Sequence, residues 1–374
     1  MKRIKQIDGF RAIAILLVIA FHYIDNQVVE LNSKISVIIY KLASFGWIGV
    51  DLFFVLSGFL IGSILLINKT SPNLFKTFFI RRFLRIVPNY YLLIILFVII
   101  LALPYFKEDN FIGGSNVIPL WSYVVLVHNL YMATMHTMGN EVMSVTWSIG
   151  IEEQFYILFP FIIVFVKDKL LPYLLVFIIL LAIVFRSFCN HWIPAYVLLP
   201  CRMDAISFGI LVAWLNINYN ISLIVKKYYL AILTCIAIVI GACFFLYLKY
   251  QGMGITRNSL FAFVFSCLII IALGKPNSYY SKILSNRLFA WIGKISYSLY
   301  LFHYLIIGIV NNIGGRFFNT HEINTRIGLA IASFFLSLLF SWIVYTFLEK
   351  PTVALGKRFN YTSKLKNSMA SIPH

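Results

Sequence analysis

The chain is 374 residues long, 61% hydrophobic and only 12% charged, which is more apolar surface than a soluble fold of this length can bury in one core. A formal net charge of +18 does not point to nucleic acid, because the basic residues lie in short clusters between apolar runs and never form a polar basic domain. The five cysteines show no C-x-x-C spacing and no thiol or metal motif. Cys235, Cys243 and Cys267 fall in apolar runs as small hydrophobes, and spacing alone leaves a Cys189–Cys201 disulfide open. The predicted fold is all-α, a polytopic helical bundle in a membrane, with no metal.

In chain order, apolar runs of spanning length predict ten helices near 9–28, 46–67, 86–104, 147–166, 170–188, 204–218, 228–248, 258–273, 288–312 and 326–348. The first follows the basic start "MKRIK" but ends in His22, Tyr23 and Asp25 rather than a small-residue cleavage site, so it reads as a retained span. A further run, 119–138, carries Ser122, His128, Asn129, Thr134, His136 and Thr137. The positive-inside rule decides its status. Ten spans with both termini inside place on the cytoplasmic face Lys2, Arg3 and Lys5, the cluster from Lys69 to Arg85, Lys167 and Lys169, Lys226 and Lys227, Lys275, Lys282 and Arg287, and the basic tail with Lys364 and Lys366. An eleventh crossing would export the later clusters. Segment 119–138 is therefore expected to be re-entrant or cavity-lining, since irregular polar chain at membrane depth must be shielded from lipid. Residues 1–350 form the expected membrane domain and 351–374 a short basic cytoplasmic tail, with no appended soluble domain, so that any chemistry falls to the membrane body. The basic clusters would also contact lipid headgroups.

Charged groups inside spans are costly and mark function more often than packing. Arg11 and His22, in "DGFRAIAILLVIAFHY", are eleven residues apart, about three helical turns, so both project from one face about 16 Å apart. Counting from the helix ends puts His22, Asp51 in "GWIGVDLFFVLSGFLIG" and Glu152 in "WSIGIEEQFY" at one depth near the outer mouth. A histidine with carboxylates at its level can act as a general base whose tautomer Asp51 or Glu152 sets. The plainer alternatives are a hydrogen-bonded core histidine and an N-capping Asp51. Glu152 and Glu153 face about 100° apart, so at most one points into a shared cavity. Arg81 and Arg85, in "FFIRRFLRIVPNYY", share a helical face with Arg82 beside them. Such guanidinium forks suit phosphate oxygens, or else form a headgroup cluster. Arg202 and Asp204, in "CRMDAISFGILVAW", read as an intramembrane ion pair or as part of a polar path. His303 follows Ser296, Tyr297, Ser298 and Tyr300 in "ISYSLYLFHYLI", either as packing glue between helices or as a polar wall for a hydroxylated substrate.

The motifs "IDGFRAIAILLVIAFH", "GVDLFFVLSGFLIG", "RRFLRIVPNYY", "WSIGIEEQFYILFP", "RMDAISFGILVA", "ISYSLYLFHYLI" and "FLEKPTVALGKR" occur in one order along nearly the whole chain. In this the sequence resembles the membrane-bound acyltransferase-3 family. The resemblance implies transfer of an acyl group, most often acetyl, from cytosolic acyl-coenzyme A to a hydroxyl of a glycan handled outside the bacterial cytoplasmic membrane. The family's acceptors include O-antigens and other lipopolysaccharide sugars, capsules, peptidoglycan, lipo-oligosaccharides and, in one branch, macrolides. Its arginine-to-histidine motif maps onto Arg11 and His22, its arginine-rich motif onto Arg81, Arg82 and Arg85, and its tryptophan-serine-glutamate motif onto Trp147, Ser148 and Glu152. The resulting expectation has His22, Glu152 and Asp51 as catalytic residues and Arg11, Arg81, Arg82 and Arg85 on the acetyl-CoA donor. Trp147, Ser148, Tyr300, His303, Arg202 and Asp204 would then hold the carbohydrate acceptor. Two departures stand out: Ala12 replaces the usual glycine after the first arginine, and the SGNH-type domain fused in many relatives is not in this sequence. The second favours direct transfer or a separate transferase or glycan-assembly partner. A transporter or flippase would also carry midplane charge, but the inverted repeats expected of one are not evident.

Overall fold

The structure is a computed structural model that describes residues 4–28, 43–103, 117–250, 256–319 and 322–362. The expectations for Lys2, Arg3, Lys364 and Lys366 lie outside these residues. Helix α1 (Lys5–Val28) is followed by a 3-10 turn (Ser44–Trp47) that leads into α2 (Ile48–Ile67), then by α3 (Leu74–Ala102). Three short helices come next: α4 (Leu120–Val124), α5 (His128–Met135) and α6 (Glu141–Ser144). The bundle continues with α7 (Trp147–Phe165), α8 (Leu171–Ser187), α9 (Trp192–Val197), α10 (Leu199–Asn218), α11 (Ile221–Tyr250) and α12 (Arg257–Gly274). A short α13 (Tyr279–Leu284) precedes α14 (Arg287–Phe317) and α15 (Ile323–Val344), which passes through a π turn (Tyr345–Glu349) into α16 (Lys350–Gly356).

Each of the ten predicted runs is a helix. Nine segments of the described chain are long and apolar enough to cross a bilayer, and α8 is a shorter apolar helix of 17 residues. Segment 119–138 is not one helix: the backbone reverses at Leu126 and His136, with φ of 61° and 51°. Three of its polar groups turn inward, while Thr134 and His136 are exposed. Ser122, His128 and Asn129 are fully buried, and Asn129 Nδ2 donates to the Val197 carbonyl at 3.1 Å. Thr146 spends its hydroxyl proton on the Met143 carbonyl, so its oxygen, 3.0 Å from His128 Nε2, accepts from that ring. The sequence at 351–356, assigned to a tail, is helical, and this last helix packs on α3. Cys189 and Cys201 are free thiols with Sγ atoms 3.7 Å apart.

A close crossing in the bundle, between α2 and α10, depends on glycine. A Cβ at Gly58 would run into the carbonyl of Ile206, and one at Gly209 into the carbonyl of Val55. Small residues of this kind let two helix backbones approach without a hydrophobic drive, which lipid does not supply. That closeness sets the register of Asp51 against Arg202, one end of the crossing. Outward faces carry Phe161, Phe165, Tyr173, Phe177 and Leu180 as exposed apolar surface, fit for lipid. Gly58→Ala and Gly209→Ala are expected to destabilise the detergent-solubilised protein by at least the ~1–3 kcal/mol of ordinary overpacking. Gly328→Ala, where an added Cβ meets open space, should leave the melting temperature unchanged or slightly raised; equal melting of all three variants would refute the crossing as a close-packed joint.

Candidate active site

Two buried ion pairs brace the centre of the bundle. Arg202 donates from Nη2 to Asp51 Oδ1, joining α10 to α2, and Asn258 Nδ2 of α12 donates to Asp51 Oδ2 at 3.3 Å. Arg186 of α8 lies 2.9 Å from Asp204 Oδ2, and Ser259 Oγ donates to that same oxygen at 2.5 Å. The Arg202 guanidinium also stands over the rings of Phe54, Trp147 and Tyr196, 5.5, 5.7 and 5.2 Å from their centres. Arg202 and Asp204 thus pair outward with other helices rather than with each other. Residues two apart on a helix face nearly opposite ways, so each meets a different neighbour. Arg186, Asn258 and Ser259 were not foreseen; the lone arginine ending an otherwise apolar run was the signal for the first.

Two cavities lie against this brace. The first, about 90 Å³, is lined by Arg11, Arg82, Arg85, Glu152, Tyr156 and Ser57 at its charged end and by Phe53, Phe54, Ile149 and Leu60 along its sides. Tyr156 Oη donates to Glu152 Oε2 at 2.6 Å and meets Ser57 Oγ. The ion pairs found among the described residues lie elsewhere, at Asp51, Asp204 and Asp168, so the three guanidinium groups present a cationic surface with one carboxylate among them. The second cavity, about 520 Å³, is lined by His22, Trp47, Glu141, Trp147, Trp192, Tyr196, Arg257 and Tyr304. Val50 and Tyr300 line both. Tyr300 Oη donates to the Val145 carbonyl at 2.8 Å and lies 2.8 Å from Ser148 Oγ, so a Ser148–Tyr300 contact forms the neck where the cavities adjoin.

This arrangement divides the residues predicted from sequence. Arg11, Arg82, Arg85 and Glu152 meet in the first cavity, His22 and Trp147 face the second, and Ser148 and Tyr300 stand at the neck. The single layer of His22, Asp51 and Glu152 does not form. Trp147 lines the second cavity with His22, and Glu152, more than a turn further along α7, reaches the arginines of the first. Asp51 sits about 100° around the helix from Val50, so Val50 faces the cavities while Asp51 faces α10. It is not an N-cap, a position held by Trp47. Arg81 does not join Arg82 and Arg85. It donates from Nε to the Phe359 carbonyl at 2.8 Å and stands over Tyr361, because positions three apart, 82 and 85, are the pair that shares the cavity face. Glu153 faces a separate lateral groove with Phe79, Phe83 and Ile157, as its offset from Glu152 requires. His303 is fully buried against the His22 ring and lines neither cavity. One carboxylate was missed: Glu349, 5% exposed, accepts from Ser298 Oγ at 2.6 Å and Asn89 Nδ2 at 3.1 Å behind the first cavity. Its signal was the "FLEKP" motif, and the π turn that ends at it aims it inward.

Fold and site together define a polytopic helical membrane protein with its charged and hydroxyl groups gathered on two adjoining cavities inside the bundle. The family model for the acyltransferase-3 family, described as an acyltransferase domain, matches residues 4–346, and the chain belongs to that family. It is 31% identical over 333 residues to the peptidoglycan O-acetyltransferase OatA of Listeria monocytogenes, covering 83% of this chain and 50% of the relative. It is 28% identical over 390 residues to the O-acetyltransferase OatA of Staphylococcus aureus, covering 97% of this chain and 60% of the relative. The chain therefore spans about half to three fifths of the length of these curated relatives. No solved structure matches it.

The brace makes its own test. Asp51→Asn and Arg202→Met, taken singly, each leave a buried charge without its partner and should destabilise by about 3–5 kcal/mol. The double variant should recover a large part of that loss, read as melting temperature in detergent. Additive losses would mean that the two side chains do not depend on each other.

Proposed function

We propose that this protein transfers an acyl group, acetyl in the first instance, from acyl-coenzyme A to a hydroxyl of a cell-surface carbohydrate, and that it does so in the bacterial cytoplasmic membrane. The observation that carries this reading is the meeting of a cationic cavity and a histidine cavity at one neck. Arg11, Arg82 and Arg85 suit the phosphates of coenzyme A, since guanidinium forks make charge-assisted, bidentate contacts to phosphate. The basic residues clustered at that end favour a cytoplasmic orientation for it. The pantetheine arm then runs past Phe53, Phe54 and Ile149 and brings the thioester to Ser148 and Tyr300.

The acceptor enters the second cavity, whose walls of Trp47, Trp147, Trp192, Tyr196 and Tyr304 offer aromatic faces to sugar rings and leave few polar groups to set orientation. His22, the imidazole on this wall, takes the proton of the attacking hydroxyl. The sugar oxygen bonds to the acyl carbon, the carbon–sulfur bond breaks, and the thiolate of coenzyme A leaves and takes up the proton that His22 held. The name of the Listeria relative makes peptidoglycan the first acceptor to try.

Purified wild-type protein should release free coenzyme A thiol in the presence of acetyl-CoA and a muropeptide or oligosaccharide acceptor, with the product carrying one added acetyl by mass spectrometry. His22→Ala should lower kcat by about 10²–10⁴-fold, the usual range for a general base, in a protein of unchanged melting temperature. Arg85→Gln should act chiefly on the KM for acetyl-CoA. Full activity of a well-folded His22→Ala variant would refute the assignment of His22, and movement of the glycan without thiol release would identify a transporter.

A further inference from the structure

His303 carries a second role that neither cavity reveals. Its Nδ1 lies 2.7 Å from the carbonyl oxygen of Tyr300. A carbonyl only accepts, so Nδ1 holds the ring proton and Nε2 holds a lone pair. Nε2 is buried and has no hydrogen-bond partner among the described residues. Next to this ring is that of His22, with centres 5.2 Å apart and planes tilted by 33°, a separation at which edge nitrogens turned toward one another come within hydrogen-bond range.

The surroundings narrow what this acceptor can serve. The other rings against His22 are those of Phe21 and Tyr304, at 4.9 and 4.5 Å between centres. The carboxylates expected to orient His22 are engaged elsewhere, Asp51 with Arg202 and Glu152 with Tyr156. The two histidines are also held in register. Tyr23, the residue after His22, donates from Oη to the His303 carbonyl at 3.1 Å and lies 2.6 Å from Ser337 Oγ of α15. This ties α1, α14 and α15 together at one level.

We propose that His303 is a positioning residue whose Nε2 accepts the N–H of His22 and so fixes the His22 tautomer with its lone pair toward the second cavity. The inference rests on the reading of His22 as the general base. The contact closes by a turn of the His22 ring as the acceptor fills the cavity, in keeping with catalytic hydrogen bonds that tighten only in the substrate complex. Protons balance without a relay: His22 gains the hydroxyl proton on the cavity side and passes it to the departing thiolate. His303 stays neutral throughout, its own proton held by the Tyr300 carbonyl. A neutral imidazole thereby does the work that a carboxylate does in a Ser-His-Asp triad, without placing an unpaired anion at membrane depth.

Two substitutions separate positioning from packing, each made in the full chain in lipid nanodiscs. His303→Phe keeps the ring and removes the acceptor, while His303→Gln keeps an acceptor oxygen. The phenylalanine variant should lose at least tenfold in kcat with the KM for acetyl-CoA within twofold of wild type, and the glutamine variant should recover part of the loss. Nitrogen-15 spectra of histidine-labelled protein, with His22→Gln identifying the His22 signals, give a readout independent of turnover. His22 should show one tautomer in the wild type and a mixture in His303→Phe. Wild-type kinetics in His303→Phe, equal losses in both variants, or unchanged His22 signals would each overturn the proposal. Absence of thiol release from the wild type would instead overturn the acyltransfer reading, and the tautomer measurement would still decide the His22–His303 pairing.

Discussion

The constraint on which the rest of this structure depends is that a charge within the bilayer must find its partner inside the protein. The Arg202–Asp51 and Arg186–Asp204 pairs meet it with groups from α2, α8 and α10, and Asn258 and Ser259 bring in α12. Through the rings of Trp147 and Tyr196 the same arginine touches α7 and α9. Such pairs add little net stability, because desolvation offsets most of the attraction, but a misregistered helix would strand a charge in a medium that cannot solvate it. The glycine crossing of α2 and α10 supplies the closeness that the pairing needs, and the pairing fixes the register that the glycines alone would leave free to slide.

The cavities follow from rotation about single helix axes. Val50 and Asp51, Arg81 and Arg82, and Glu152 and Glu153 are each neighbours about 100° apart, and in each case one member faces a cavity while the other braces a helix or faces the bilayer side. Adjacent charges in the sequence therefore divide between structure and chemistry. Glu349 shows how a departure from regular helix enters this division. The π turn at Tyr345–Glu349 shifts the register of the last helical stretch so that the carboxylate reaches Asn89, one turn beyond Arg85, and Ser298, next to Tyr297.

The neck between the cavities gives the proposed reaction a geometric logic. A donor bearing several negative charges and an acceptor bearing neutral hydroxyls call for opposite environments, which one cavity cannot offer together. Separate chambers satisfy both, with only a thioester and a hydroxyl brought into contact at Ser148 and Tyr300.

The sequence by itself determined the membrane class, the ten apolar helices, the interrupted character of 119–138 and eight of the cavity residues: Arg11, His22, Arg82, Arg85, Trp147, Ser148, Glu152 and Tyr300. These are legible because hydropathy over a span and the scarcity of polar residues within it are local properties. Which charges pair, and which face a cavity, was not legible. Asp51 and Arg202 are 151 residues apart, and nothing local records the rotation of one helix against another. Glu152 was placed level with His22 because counting from helix ends cannot say which cavity a residue of α7 reaches, and Arg81 was grouped with Arg85 because sequence spacing cannot say which side of α3 the cavity lies on. Only the tertiary structure decided that His22 meets His303 rather than a carboxylate, since that meeting depends on how α1 and α14 cross, held where Tyr23 joins them.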